Sequence, residues 1–343
     1  MKKIFPLLLA VVFTLITVAC SSQTETGSEG SGESNDKYTL KLAGQSPEDH
    51  PSTQAMHKFA ERIESETEGR IEIKVYPANQ LGDYSTVYSE ILRGTIHMGL
   101  ISTPSQMDSR LALEVMPYLI DDYDDLNDKI GSDSYVFKKL QEINKEHGAH
   151  LLGFHANGFG GLGTSKEIQN LVDIGKDKDL LLRSPAMEVH SYPMEDIGFR
   201  ITTIPFADLY TALQTGAADG WSGGEASLNY HGFRDVINYF YRTNDFFNSD
   251  SFYINDELWQ EFDEEDQLII SEAANELMKQ SFITAEEFDE KYVQLMEEEG
   301  IQVIDLSEDE IEVLRAYVRE NTWDRLRGPM SDEIIDNLLE SID

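Results

Sequence analysis

From Asp263 to Glu299 the chain contains neither glycine nor proline, and Ile270, Ala274, Leu277, Ala285, Phe288, Tyr292 and Leu295 recur there at helical spacing. One helix over that stretch is roughly 55 Å long, more than a single compact lobe needs. It therefore either braces two lobes or breaks into two helices at an unmarked kink near Ser281. The rest of the chain alternates. Tyr38–Ala43 and Ile71–Tyr76 have strand periodicity, whereas Pro51–Glu68 places Ala55, Phe59 and Ile63 on one helical face beside Met56 and Ala60. Asp83–Arg93 predicts a helix and Ile96–Ile101 a buried strand. Further strands are predicted at His150–Phe154, Asp179–Leu182, Ala217–Trp221, Ser251–Ile254 and Gln302–Leu306, with helices at Ser191–Ile197 and Phe206–Thr215. Ser307 and Glu310 form a capping box for a last helical region. Such alternation predicts an α/β fold with mostly parallel sheets covered by helices.

The first residues read as an address. Lys2 and Lys3 precede an apolar run from Ile4 to Ala19, the layout of a cleaved secretory signal, with the break expected before Cys20. Cys20 is the only cysteine, so it has no disulfide partner in the chain. Residues 21–36 contain no large apolar side chain and are expected to be a flexible tether. Thr17-Val18-Ala19-Cys20 resembles the lipobox of bacterial lipoproteins, with Thr17 where Leu is usual. That resemblance implies a lipid on Cys20 and a place on the outer face of the cytoplasmic membrane, the membrane being touched through the anchor only. No other long apolar run follows. A balance of 27 Lys+Arg against 64 Asp+Glu, a formal charge of -37, repels nucleic acid and anionic lipid and excludes both as partners.

Three enzyme-like motifs fail on context. Gly158-Phe159-Gly160-Gly161-Leu162-Gly163 matches the dinucleotide spacing, but Thr164-Ser165-Lys166-Glu167 after it supply no clear apolar helix face and nicotinamide and flavin are scarce at an exported site, so no cofactor is expected. A glycine-rich turn between lobes is the better reading. Gly220-Trp221-Ser222-Gly223-Gly224 matches the nucleophile elbow, yet only His231 follows Ser222, with Glu225 the only acid between them. His147, His150 and His155 do not share one face, and no metal is expected.

From about Tyr38 onward the chain resembles the solute-binding proteins of tripartite ATP-independent periplasmic (TRAP) transporters, the DctP-type family. The motifs are His50-Pro51, Glu68-Gly69-Arg70-Ile71, Gln80-Leu81-Gly82 and Arg93-Gly94-Thr95-Ile96-His97-Met98-Gly99. They continue with Leu182-Arg183-Ser184-Pro185, Ile204-Pro205-Phe206 and the run from Asp208 to Gly220. The resemblance implies two lobes with two crossover connections, a bracing helix and a hinge-closing cleft. It implies a signal peptide at 1–19, the cysteine and tether at 20–36, a first lobe of 37–155 with about 247–285, and a second of 156–246 with about 286–343. It also implies that Arg183 forms a bidentate salt bridge with a ligand carboxylate, and that the solute passes to membrane permease subunits. A planar, permanently charged guanidinium suits that task. Where relatives have a second arginine before Thr-Ser this chain has the glycine run, and the common Glu-Asn-Pro after Asp-Gly is replaced by Trp221-Ser222-Gly223-Gly224. Trp221 is therefore read as stacking on the solute or as a core residue. With Phe159 and Phe247 it would make an aromatic cleft suited to a monocarboxylate with an apolar or planar body. Ser222, Ser102 and His50 complete the expected ligand-binding residues. A non-enzymatic monomer is expected, the alternatives being a ligand sensor for a signalling receptor or an enzyme built in the cleft.

Overall fold

The computed structural model describes residues 36–342. The signal peptide, Cys20 and all of the tether but Asp36 lie outside the described residues. In β1 (Tyr38–Gly44) Leu40 and Leu42 are buried while Thr39 and Lys41 are not, the alternation expected of its sequence. There follow α1 (Pro51–Glu66), β2 (Ile71–Tyr76), α2 (Tyr84–Leu92) and β3 (Met98–Ile101). Two 3-10 segments, Ser109–Val115 and Tyr123–Asp125, lead into α3 (Leu126–Ile130), α4 (Tyr135–His147) and β4 (Ala149–Phe159). The next stretch comprises β5 (Gly161–Thr164), β6 (Leu181–Ser184), α5 (Glu188–Ile197), β7 (Arg200–Thr203), α6 (Phe206–Thr215), β8 (Gly220–Gly224), α7 (Ala226–Phe233) and β9 (Tyr239–Arg242). β10 (Phe247–Asn255), α8 (Asp256–Glu261), α9 (Glu264–Glu298), β11 (Gln302–Asp305) and α10 (Glu308–Tyr317) precede a π-type turn (Val318–Thr322), α11 (Trp323–Met330) and α12 (Asp332–Ile342).

These strands form two sheets, ordered β2-β1-β3-β10-β4 and β11-β9-β5-β8-β6-β7. In the first, β1 runs parallel to β2 and β3; in the second, β6 runs parallel to β7 and β8. The carboxyl ends of β1–β3 thus share one edge, as do those of β6–β8, which is where open α/β sheets present ligand sites. The chain passes between sheets three times, by short passages through Gly160 after β4 and through residues 243–246 after β9, and by α8 and α9 between β10 and β11. The two short passages touch: Gly160 N donates to Phe246 O at 2.9 Å.

The helix α9 is continuous. Asp263 caps it, accepting from Asp266 N at 2.9 Å, and Asp266 holds Arg70 through both carboxylate oxygens. Ser281, the suspected kink, donates to Met278 O at 2.7 Å within the helix and accepts from Ala156 N at 3.0 Å, so its hydroxyl ties the helix to β4 without breaking it. Ile270, Ala273 and Ala274 pack in a core with Leu40, Leu42 and Phe252 of the first sheet. Tyr292, Val293 and Met296 pack with Trp221 and Phe240 of the second. One helix therefore supports both sheets, because its apolar stripe is long enough to bury against each in turn. The last helices return to the 109–147 region: Trp323 Nε1 donates to Pro117 O at 2.9 Å and Lys129 Nζ to Ser341 O at 2.9 Å.

Three strands begin later than their sequence predicts, β3 at Met98 rather than Ile96 and two others for a visible backbone reason. Asp179 has φ 53°, with its N–H turned to Asp177 Oδ1 at 2.8 Å, so β6 starts at Leu181. Gly216 closes α6 at φ 73°, and Ala217 and Ala218 still donate to Ala212 O, so β8 starts at Gly220.

Candidate functional site

Arg183 stands at the carboxyl end of β6, beside Trp221 of β8 and Thr202 of β7. It is only 5 % exposed, yet among the described residues no acid pairs with it. Its Nε donates to Ile204 O at 2.9 Å, and its guanidinium carbon lies 5.8 Å from the Phe206 ring centroid. Burial pulls its pKa down to about 10, so it stays a cation at neutral pH. The field of Tyr84, first residue of α2 beside the first sheet, is the one that reaches it with the opposite sense. His190 of α5 is buried with Nδ1 unpartnered; burial first, and then the Arg183 charge, push it down to about 4, so it is neutral there.

A second polar group forms at the carboxyl edge of the first sheet. Gln45, just after β1, donates through Nε2 to Ser102 Oγ at 2.8 Å and to Asp250 Oδ1 at 3.0 Å, and Ser102 N returns a bond to Gln45 Oε1 at 3.1 Å. Asp250, inside β10, pairs in register with His155 of β4. Its carboxyl is pushed up to about 7, by burial above all, with the Asn157 hydrogen bond opposing and the Glu225 charge adding. Its Oδ2 is buried and has no partner. Glu225, at the start of α7, accepts from Ser227 Oγ at 2.6 Å and from Asn248 Nδ2. That bond to Asn248 joins the second sheet to β10.

The residues singled out from the sequence do not all gather here. Arg183 and Ser102 stand at the strand ends as described. Trp221, expected to stack on solute or sit in the core, is 1 % exposed; its Nε1 donates to Asn229 Oδ1 at 3.0 Å and its ring lies 4.8 Å from Phe233. Those contacts leave a solute almost no face of the indole. Phe159 and Phe247 are buried edge-to-face at 5.0 Å, both against Tyr123, plugging the point where the two passages leave the first sheet. The aromatic cleft expected of these three is therefore not formed by them, because each is taken up by core packing. Ser222 is fully buried within β8 with its Oγ unpartnered. His50 caps α1, accepting from Ser52 N at 3.2 Å, and packs on Phe288 at 5.4 Å. Gln45, Tyr84, Asn157, Glu225 and Asp250 were not singled out from the sequence. The one available signal was Asp250, a charge inside an otherwise buried strand.

The glycine run has a steric account. It lies at a strand-to-strand passage, not at a helix start, and lacks the helix N-terminus that a dinucleotide phosphate would use. A Cβ on Gly161 would overlap Tyr241 O, and one on Gly160 the Phe246 ring. Of the three nearby histidines, His147 meets Asp108 at 3.1 Å, His150 stacks on Trp259 at 4.4 Å and His155 is buried beside Asn157. Among the described residues no group of three or more His, Cys, Asp or Glu side chains could hold a metal ion, and no helix is long and apolar enough to cross a membrane. A cavity of about 360 Å³ lined by Leu119, Lys129, Tyr135 and Ser341, among others, contains none of the Arg183 or Asp250 groups.

Comparison with known proteins places this geometry. The model of the family described as bacterial extracellular solute-binding protein, family 7, matches residues 42–326. The sialic acid-binding periplasmic protein SiaP of Vibrio cholerae is 24 % identical over 277 residues, covering 78 % of this chain and 83 % of its own. Among solved structures, the TRAP periplasmic solute-binding protein of Haemophilus influenzae with bound L-gulonate superposes with a TM-score of 0.77 at 23 % identity, covering 89 % of this chain and 100 % of that one. One from Desulfovibrio salexigens with bound orotic acid gives 0.79 at 21 % identity, covering 89 % and 98 %. The fold is thus the two-lobed α/β fold of periplasmic binding proteins.

Proposed function

The chain belongs to bacterial extracellular solute-binding protein family 7, and from that premise we propose that it captures a small organic acid between its two sheets and delivers it to TRAP permease subunits. The observation that carries the carboxylate reading is Arg183: a buried cation at a strand end, with no acid among the described residues to neutralise it. A lone buried charge is costly, and a ligand carboxylate would supply the missing bidentate partner. The named ligands of the three relatives above are all acids, which supports the same reading. No step of chemistry is required of the protein. Titration calorimetry against a panel of organic acids and neutral sugars tests this; binding confined to neutral sugars would sink it.

The body of the solute faces polar groups in this reading, since Gln45 and Ser102 stand at the strand ends while Phe159, Trp221 and Phe247 are in the core. The lobes are divided where the chain changes sheet, with α9 common to both. The protein acts as a monomer on the outer face of the cytoplasmic membrane, held through a lipid on Cys20, the tether keeping it within reach of its permease. Partition of the protein into a detergent phase, lost in Cys20→Ser, is the expected result; partition of the variant like the wild type would refute the anchor.

A further inference from the structure

Arg183 is a buried cation on the second sheet with, among the described residues, no acid paired to it. On the first sheet, at the ends of β1 and β3, stands Asp250. It is 1 % exposed, Gln45 serves its Oδ1, and its Oδ2 is buried with no partner. Glu225, a second buried acid, reaches its neighbourhood, and among the described residues neither acid has a salt bridge. One sheet therefore offers a cation lacking an anion at its carboxyl edge, and the other an anion lacking a cation. Neutral hydroxyls do not call for this arrangement, because Gln45, Ser102, Asn157 and Asn248 already supply uncharged donors and acceptors. A desolvated carboxylate with an open oxygen is matched by a charged N–H donor, which gives the stronger hydrogen bond.

We propose that the solute is a zwitterion, its carboxylate held by Arg183 and a protonated amine held by Asp250 Oδ2, so that closing the cleft satisfies both buried charges with one molecule. This deepens the carboxylate reading and rests on it. A proton balance follows. The groups facing Asp250 are Glu225 from α7, His155 from β4, which burial pushes down to about 4 and so keeps neutral, and the uncharged Gln45 and Asn157. With its carboxyl raised to about 7, Asp250 is partly protonated at neutral pH before ligand arrives. An ammonium group beside it lowers that value, so binding releases the proton to solvent. A hydroxyl in the same place carries no charge and releases none.

The test is calorimetry of the purified protein at pH 7, in two buffers of different ionisation enthalpy. The probes are α-, β- and γ-amino acids and hydroxy acids of matched skeleton. The expected result is tighter binding of an amino acid than of its hydroxy counterpart, with net proton release. Asp250→Asn should lower that affinity ratio by about tenfold or more and abolish the release. The inference is overturned if matched hydroxy acids bind as tightly as amino acids, if no amino acid binds, or if wild-type binding releases no proton. The last result needs no variant, so it stands even where Asp250→Asn fails to fold. Hydroxy acids that bind through Arg183 while amino acids do not would overturn the zwitterion alone. Failure of every acid, or binding unchanged in Arg183→Ala, would overturn the carboxylate reading beneath it.

Discussion

Replacing Arg183 by alanine separates a ligand-binding arginine from a structural one. The guanidinium is almost wholly buried, and burial lowers its pKa by more than two units from the ordinary arginine value, to about 10. At about 1.4 kcal/mol per unit this is a desolvation penalty of about 3 kcal/mol in the empty protein. Against it stand one hydrogen bond to Ile204 O, worth about 1 kcal/mol, and contact with the Phe206 ring. Arg183→Ala should therefore fold, its stability equal to the wild type or higher by up to about 2 kcal/mol. Binding should behave in the opposite way. Loss of a buried, charge-assisted partner costs about 2–5 kcal/mol, a weakening of roughly thirtyfold to several thousandfold. Arg183→Lys keeps the charge but not the planar fork and should fall between the two. Urea unfolding and calorimetry with the best-binding acid read both quantities. An alanine variant that unfolds several kcal/mol more easily, or that binds with wild-type affinity, would refute the reasoning.

Two further outcomes follow from packing and burial. Trp221→Ala should cost about 3–5 kcal/mol of stability by denaturant unfolding, and Trp221→Phe should leave ligand affinity unchanged, because the indole is held by Asn229 and Phe233; an affinity loss in a well-folded Trp221→Phe would place it against the solute. Glu114, fully buried, accepts from Thr103 and Ser251 and is pushed up from 4.5 to about 7, by burial against those hydrogen bonds. A carboxyl raised on folding contributes stability below its unfolded value, and that contribution is lost as pH rises through its folded one. Glu114→Gln should therefore gain on the wild type by up to about 3 kcal/mol between pH 4.5 and pH 8, and an equal difference at both pH values would exclude the titration.

Much of this protein was decided locally. The gap in glycine and proline from Asp263 to Glu299 was sufficient to predict helix throughout, since a helix continues wherever nothing interrupts its hydrogen bonding and one face stays apolar. It left open the choice between one brace and two helices meeting near Ser281, which the contacts of Ser281 with β4 decide. Its alternation with strands set the α/β class, and the capping box at Ser307 is present in the structure. The motif Arg183-Ser184-Pro185 was legible as a motif, whereas a ligand-binding role for Arg183 came only as what the family resemblance implies.

Only tertiary packing decided the surroundings. Asp250 and Gln45 are 205 residues apart in sequence and hydrogen-bonded in space, and no local pattern brings them together. Trp221, Phe159 and Phe247 showed the opposite limit. Aromatic character is the same in a core and in a cleft, and which of the two a ring occupies depends on partners such as Asn229 and Tyr123 that lie on other strands and turns. The side chain at each position is set by the sequence, whereas the burial of Arg183 and of Asp250 away from any opposite charge among the described residues exists only after the chain has folded.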